Sequence, residues 1–382
     1  MNSLPYLIVL FLLFILYRSE QRKIKYVKPK YAIWAAFLLI LVFIGLRGHI
    51  MSDFILYYPR YNHLPTLDTF FNNFTGMYAV EPAFFIYSSF IKTLGFDYYG
   101  WVFINTLIDM VVLFWFFRKY SPSVILALIF FFAFNGLLIE FNLYRNVKGL
   151  DCFLLSVPFL LDRKIWPYML LNLLGIMFHN SSILYLPLYF IFNLKLNNYF
   201  IWTMVIVSNL IFLAQIHIVS NVISYIPFIQ NLEMYEKISG YVAKKQEYGL
   251  SFGYLERLFA IVLFTLLRGK LVKADKRNNF FYNSYFFYYI SITIFYEVEV
   301  FVDRIPYLFI YSYWILYPKV LSLRYKYRKL MKYAIALLVV MKVYATGSAP
   351  GAQYQNILWD KVSYKTSASQ ARKALKQADR KN

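Results

Sequence analysis

Long apolar runs dominate this chain and restrict it to one class of fold. Of its 382 residues, 60% are hydrophobic and only 15% are charged, which is more apolar surface than a soluble domain hides. In lipid each run must satisfy its own backbone hydrogen bonds, so the runs are predicted to be helices. We therefore predict an all-α polytopic membrane protein with about 12 (11–13) transmembrane helices. The predicted spans are 3–17, 31–46, 101–117, 121–139, 146–161, 165–178, 181–194, 199–219, 252–267, 279–296, 305–320 and 331–346.

Lysine and arginine collect in short loops between these runs. The basic loops are 18–30, 268–277 and 318–332, together with Arg118-Lys119 and Arg163-Lys164. The positive-inside rule places such loops in the cytoplasm. All of them share that side only if residues 81–95 do not cross, so we predict a re-entrant or interfacial segment there. The net charge of +21 then reflects topology, and no nucleic acid is expected as a partner.

The remaining composition limits the domain plan and the chemistry. We predict one transmembrane helical domain over residues 1–346 and a polar, basic C-terminal tail over 347–382. The first apolar run lacks a cleavage site and is read as an uncleaved span. Cys152 is the single cysteine, which excludes an intrachain disulfide and a thiolate metal cluster. With no Gly-rich phosphate loop, HExxH or GxSxG, neither a metal nor a cofactor is expected. The alternative is a divalent ion held by Asp53 and Glu81.

On this topology several arginines face the outside of the membrane. Arg47, Arg145 and Arg304 are candidates for binding a diphosphate, since guanidinium groups bind phosphate oxygens bidentately. A structural interpretation stays open for each. Arg145 could be an interfacial arginine paired with Glu140 or Asp151, and Arg304 could pair with its neighbour Asp303.

Three outer residues are candidate bases or acids, namely His179, Asp53 and Glu81. A hydroxyl nucleophile needs a group that takes its proton, and histidine does this near neutral pH. Asp53 lies among arginines and Glu81 precedes Pro82 at a predicted helix start, so both are expected to stay ionised. We therefore favour His179 as the base. The alternative is a histidine hydrogen-bonded across helices by nearby Asn and Ser.

Tyrosines in the same outer loop suit the recognition of sugars. Tyr57, Tyr58 and Tyr61 could stack on sugar rings, or they could form an ordinary interfacial aromatic belt. The long outer loop 220–251 is the predicted place for acceptor specificity or a lid.

An ordered set of short motifs resembles a known family over about residues 1–345. The chain resembles the EpsG-like branch of the Wzy polysaccharide polymerases, and it departs from them at HIMSD and at Asn146. The motifs are GLRG with Arg47, SDFILYYPRY with Asp53, EPAF with Glu81, NLYRNVKGL with Arg145, FHNSSILYLPLY with His179, and VDRIPYLF with Arg304.

The resemblance implies a glycosyltransferase of the bacterial plasma (inner) membrane, active on its outer face. Its substrate would be undecaprenyl-diphosphate-linked oligosaccharide, polymerised into O-antigen or exopolysaccharide. Membrane lipid, a chain-length regulator and a flippase are candidate partners. The main alternative is a flippase or other polysaccharide transporter, which should show duplicated halves and a polar path to both sides. A membrane acyltransferase and a structural subunit are further alternatives.

Overall fold

A computed structural model describes residues 2–22, 28–70, 81–218, 250–297 and 305–379. Within these ranges the regular elements are helices, with a single antiparallel bridge between Arg47 and Asn356. Two 3₁₀ helices, Asn180–Tyr185 and Pro306–Phe309, interrupt the series. The α-helices are α1 (Leu4–Glu20), α2 (Pro29–Gly45), α3 (Phe54–His63), α4 (Leu67–Phe70), α5 (Pro82–Thr93), α6 (Tyr98–Tyr120), α7 (Val124–Ala133), α8 (Gly136–Asn142), α9 (Tyr144–Leu161), α10 (Ile165–Phe178), α11 (Leu188–Ile191), α12 (Asn198–Leu213), α13 (Phe252–Ala274), α14 (Asn278–Ile294), α15 (Tyr311–Ser322), α16 (Arg328–Ser348) and α17 (Tyr364–Asp379).

The predicted all-helical fold is confirmed for the described residues. Two helices, α6 and α16, are long and apolar enough to cross a membrane unaided. The pair α7 and α8 makes a third candidate, bent by 63° where Asn135 takes a left-handed φ of 59°. Shorter apolar helices are α2, α10 and α12. The number of about 12 spans stays a prediction.

Two segments singled out by the sequence have different outcomes. Residues 81–95 contain α5, whose 12 residues extend about 18 Å, less than the roughly 30 Å of a bilayer core. Its re-entrant or interfacial placement stays a prediction. The predicted loop 220–251 lies outside the described residues except for its last two.

By contacts the chain divides into two units, Met1–Leu186 with Tyr313–Asn382, and Pro187–Ser312. In the second unit, Asn209 on α12 accepts hydrogen bonds from Tyr254 (2.6 Å) and Tyr289 (2.8 Å). Arg268 on α13 donates to the Leu196 carbonyl (2.8 Å) and to the Asn279 side chain (3.0 Å). These partly buried polar contacts tie α12, α13 and α14 together.

The first unit has two distinct ends. At one end, which we call the Glu20 end, Glu20 closes α1 and accepts a hydrogen bond from Val124 N (3.0 Å) at the start of α7. At the other, the Tyr144 end, the hydroxyls of Tyr98 and Tyr144 lie 3.4 Å apart where α6 and α9 begin. Because these helices run from one end to the other, the loops after α1, α6 and α9 and before α16 lie at the Glu20 end. Their basic residues include Arg18, Arg22, Arg118, Lys119, Arg163, Lys164 and Arg328. Arg60, Lys92 and the basic residues of the C-terminal segment lie at the Tyr144 end.

A buried ion pair fixes α9 against α6 between these ends. Lys148 donates to the Asp109 carboxylate and to the Asn105 carbonyl (3.0 Å). The next residue, Gly149, lets α9 approach the 3₁₀ helix Asn180–Tyr185 closely. A Cβ added at Gly149 would lie 2.1 Å from Ser182 Oγ. Breaking a buried ion pair costs about 3–5 kcal/mol, so the position of α9 is strongly determined.

Candidate active site

Glu81 is the centre of a polar cluster at the Tyr144 end of the first unit. Pro82 occupies the first turn of α5, where its missing N–H costs nothing, and Glu81 precedes it with an extended φ of −140°. Its side chain is 3% exposed. One carboxylate oxygen, Oε1, lies 2.6 Å from His179 Nδ1 and accepts from Asn180 N (3.3 Å). The other, Oε2, accepts from Arg145 Nη1. One buried carboxylate therefore joins three elements.

His179 is oriented by this carboxylate. It ends α10 in an extended conformation, and its own N–H donates to the Gly175 carbonyl (2.9 Å). An ionised carboxylate only accepts hydrogen bonds, so the proton of the neutral imidazole lies on Nδ1 and the lone pair on Nε2. Nε2 is buried and has no hydrogen-bond partner among the described residues. A buried acceptor without a partner is expensive, which is typical of a functional group.

Arg145 lies in the first turn of α9 and reaches the same carboxylate. Its Nε donates to Tyr57 Oη (2.7 Å), and its Nη1 to Glu81. No described residue accepts a hydrogen bond from its Nη2, and its side chain is 26% exposed. Two of its donors are thus used for positioning, and one edge remains available to an anion.

The charge on Glu81 follows from its neighbours. Burial alone would raise its pKa, but the hydrogen bond and charge of His179 and the charge of Arg145 outweigh burial and lower the pKa below its ordinary value. Glu81 is therefore a carboxylate at neutral pH. As such it can stabilise an imidazolium on His179 while holding Arg145.

Tyr57 belongs to α3 and is fixed by rings. Its ring packs edge-on against Tyr144 (4.9 Å between centroids) and stacks on Trp101 (6.2 Å). Burial raises the pKa of Tyr57 to about 12, so its hydroxyl stays protonated. Trp101 in turn donates to Ser88 Oγ (3.1 Å) on α5. The aromatic frame thus links α3, α5, α6 and α9 around the Glu81 cluster.

The predicted diphosphate-binding arginines lie in different settings. Arg47 is 2% exposed and donates to the carbonyls of Ile44 (2.8 Å) and Glu140 (2.6 Å) and to Thr106 (3.1 Å). It lies behind the Glu81 cluster, with its guanidinium 5.4 Å from the Tyr144 ring centroid. Arg304 lies outside the described residues. Of the three, the structure brings Arg145 to Glu81 and His179.

The other predicted residues of this stretch lie around α3. Asp53 precedes α3 and lies within electrostatic reach of Tyr57. Tyr61 is buried, stacks on Trp101 (5.2 Å) and donates to the Phe96 carbonyl (2.9 Å). Tyr58 stacks on Tyr364 (4.5 Å). Roles of Asp53 in catalysis and of Tyr57, Tyr58 and Tyr61 in sugar binding stay predictions.

Several structural residues of the first unit were not found by sequence reasoning. Asn142, in the last turn of α8, accepts hydrogen bonds from the N–H groups of Ser52 (3.1 Å) and Asp53 (3.3 Å), which fixes the entry to α3. The pairing of Lys148 with Asp109 was also missed. No sequence pattern pointed to Asn142. Asp109 and Lys148 each lie in an apolar run, where a charged residue usually has a partner, so their pairing could have been predicted.

The cluster can perform acid–base chemistry beside an anion. His179 offers a base oriented by Glu81, and Arg145 offers a guanidinium edge to negative charge. Within the described residues, no three His, Cys, Asp or Glu side chains group as metal ligands do.

These features define a class: a helical protein with membrane-spanning candidates and a Glu–His–Arg site at one end of its larger unit. A family model described as the EpsG family matches residues 30–357, which is most of the chain. The chain therefore belongs to the EpsG family, a family of Wzy-like polysaccharide polymerases, and the resemblance read from its motifs is confirmed. No match was found among curated proteins or among solved structures.

Proposed function

We propose that this protein is a membrane glycosyltransferase that polymerises undecaprenyl-diphosphate-linked oligosaccharide repeats on the outer face of the bacterial plasma membrane. Family membership supports polysaccharide polymerisation as the class of activity. The observation that carries the mechanism is the shared carboxylate of Glu81, which binds both His179 and Arg145. This arrangement leaves His179 Nε2 and Arg145 Nη2 without a hydrogen-bond partner among the described residues, and both can therefore contact substrate.

The proposed reaction exchanges one bond for another at the anomeric carbon of the donor sugar. The acceptor hydroxyl oxygen forms the new glycosidic bond to C1, and the bond from C1 to the diphosphate oxygen breaks. The hydroxyl proton passes to Nε2 of His179, and Glu81 stabilises the imidazolium that results. The electron pair of the broken bond leaves with undecaprenyl diphosphate, whose growing charge Arg145 stabilises through Nη2. Solvent later returns His179 to its neutral form.

The distribution of charge supports an external site. The Glu81 cluster lies at the Tyr144 end, whereas the basic loops that join the apolar helices of the same unit lie at the Glu20 end. The exposed basic residues of the C-terminal segment, Lys361, Lys365, Arg372 and Lys373, lie at the Tyr144 end and do not follow this division. Basic loops favour the cytoplasm, so the cluster is expected on the opposite side. Lipid-diphosphate repeats polymerised at that face would meet the cluster directly.

Purified protein in lipid, incubated with a lipid-diphosphate repeat unit, tests the activity. We expect a ladder of polymers and release of one undecaprenyl diphosphate for each bond formed. A transporter would move the substrate across a vesicle membrane and leave its length unchanged. A panel of repeat units that all stay unpolymerised would argue against the polymerase.

Thiol labelling tests the sidedness with residues of one unit. In a Cys152→Ser background, Asn62→Cys lies at the Tyr144 end and Lys164→Cys at the Glu20 end, and both native side chains are exposed. An impermeant maleimide added to intact spheroplasts should label position 62 and spare position 164 until the membrane is opened. Labelling of 164 alone would invert the assignment. Ser363→Cys, beside α17, should follow position 62, because this segment contacts α3.

A further inference from the structure

The chain beyond α16 returns to the Tyr144 end and pairs with the loop that precedes α3. Gly48 N donates to the Gln355 carbonyl (2.8 Å), Met51 N to the Gly351 carbonyl (2.8 Å), and Ile357 N to the Leu46 carbonyl (3.0 Å). Tyr354 adds a ring stacked on Phe43 at 4.2 Å, with 4° between the ring planes. Residues 351–357 are thus fixed to this loop by backbone and ring contacts together.

Helix α17 continues this contact directly on α3. Tyr364, its first residue, stacks on Tyr58 with centroids 4.5 Å apart and 11° between planes, and it donates to the Ile55 carbonyl (3.0 Å). One turn and two turns further on, Ala368 and Ala371 are buried in the same apolar cluster as Tyr57. The small side chains let α17 lie close to this cluster.

The helix that receives this contact depends on its surroundings. α3 has 10 residues and contains Pro59, which removes one backbone hydrogen bond. A helix this short is marginal alone, so packing sets its position. One stripe of α3, with Tyr57 and Tyr61, packs on Trp101. The adjacent stripe, with Phe54 and Tyr58, packs on Tyr364.

We infer that α17 is a positioning element of the active site, acting through Tyr364 on α3 and through Tyr57 on Arg145. This inference rests on the proposed function. Tyr57 Oη accepts from Arg145 Nε at 2.7 Å, so a shift of α3 changes the direction of the Arg145 guanidinium. The family model matches residues 30–357, and α17 lies beyond them.

The test compares three variants by polymerisation rate at saturating and limiting repeat unit. Tyr364→Ala removes the stack and the hydrogen bond, and we expect kcat to fall about tenfold, since misplacement by a fraction of an ångström has effects of this size. Tyr364→Phe keeps the stack and should retain most of the rate. Lys365→Ala alters an exposed neighbour and should match wild type. Equal losses from Tyr364→Ala and Lys365→Ala would overturn the inference.

A double-mutant cycle identifies the route of the effect. If Tyr364 acts through Tyr57, adding Tyr364→Ala to Tyr57→Phe should cost little more than Tyr57→Phe alone. Effects that multiply in the double variant would show that Tyr364 acts elsewhere. If Tyr364→Ala does not accumulate in the membrane, Ala371→Leu, which overfills the contact, takes its place in the cycle.

Arg145→Ala separates this inference from the function on which it rests. If Arg145→Ala loses polymer while Tyr364→Ala and Ala371→Leu keep the full rate, the positioning role of α17 is rejected. The proposed active site is then retained. Full rate in Arg145→Ala removes the proposed site itself.

Discussion

Replacing Arg145 with alanine should reduce polymerisation by on the order of 10²–10³-fold, the usual cost of removing one donor aimed at developing negative charge. The leaving diphosphate gains charge as its bond to C1 breaks, and Arg145 Nη2 is the available guanidinium edge of the Glu81 cluster. The substitution should lower kcat more than it raises KM, because the contact between Arg145 and the diphosphate strengthens in the transition state. Steady-state rates of undecaprenyl diphosphate release measure kcat and KM.

Lysine at position 145 should restore little of this rate. An ammonium is a point charge and cannot donate to Glu81, to Tyr57 and to a diphosphate in the planar arrangement that the guanidinium allows. Near-normal polymer from Arg145→Lys would instead favour an interfacial cation without a role in chemistry.

Arg47 provides a matched comparison for this prediction. Its donors are used on buried carbonyls and on Thr106, so Arg47→Ala leaves those groups without partners. We expect a lower amount of protein in the membrane and a rate per molecule reduced much less than in Arg145→Ala. If Arg47→Ala protein is folded but as inactive as Arg145→Ala, Arg47 would also have to be assigned to diphosphate binding.

The individual residues of this site could be predicted from the sequence, because each is a costly polar group beside an apolar run. A histidine at the end of α10 and an arginine at the start of α9 need partners or a function. Their meeting could not be predicted. Glu81 and His179 are 98 residues apart in the chain, and their contact depends on how α5 packs against α10.

The partner of Arg145 shows the same limit. Sequence reasoning offered Glu140 and Asp151 as structural partners, whereas the ion pair is with Glu81. Asp151 lies six residues further along α9, about 9 Å along the helix axis, and Glu140 lies on α8 across the break at Leu143. Nearness in sequence predicts side-chain contact on a helix only at spacings of three or four residues, which is one turn.

The C-terminal tail was the least predictable part. Its composition is polar and basic, typical of a solvated end, yet it has Tyr354, Tyr364, Ala368 and Ala371 at positions that pack. The alanines carry little hydrophobic signal, and the tyrosines are ordinary in a chain with 37 of them. These four residues become structurally important only through the faces of α2 and α3 against which they pack.

Replacing His179 with glutamine should slow polymerisation by about 10²–10⁴-fold at every pH, the range expected for loss of a general base. The wild-type rate should be lost in acid, because a protonated Nε2 cannot take the proton of the acceptor hydroxyl. Glutamine fills similar space and can donate to Glu81, so the fold should survive. Rates from pH 5 to 9 on one membrane preparation measure both effects.

Glu81→Gln distinguishes a catalytic His179 from a structural one. The ionised carboxylate stabilises the positive charge that forms on His179 in the transition state, so its replacement by an amide should lower the rate at every pH. Glu81→Asp keeps the charge and should retain more of the rate. A merely structural histidine needs only a hydrogen-bond acceptor, which the amide oxygen also supplies, so Glu81→Gln would then keep most of the rate. Wild-type rates in both Glu81→Gln and His179→Gln would assign the base to another group, and Asp53, beside Tyr57 at the entry to α3, would then be the candidate to test.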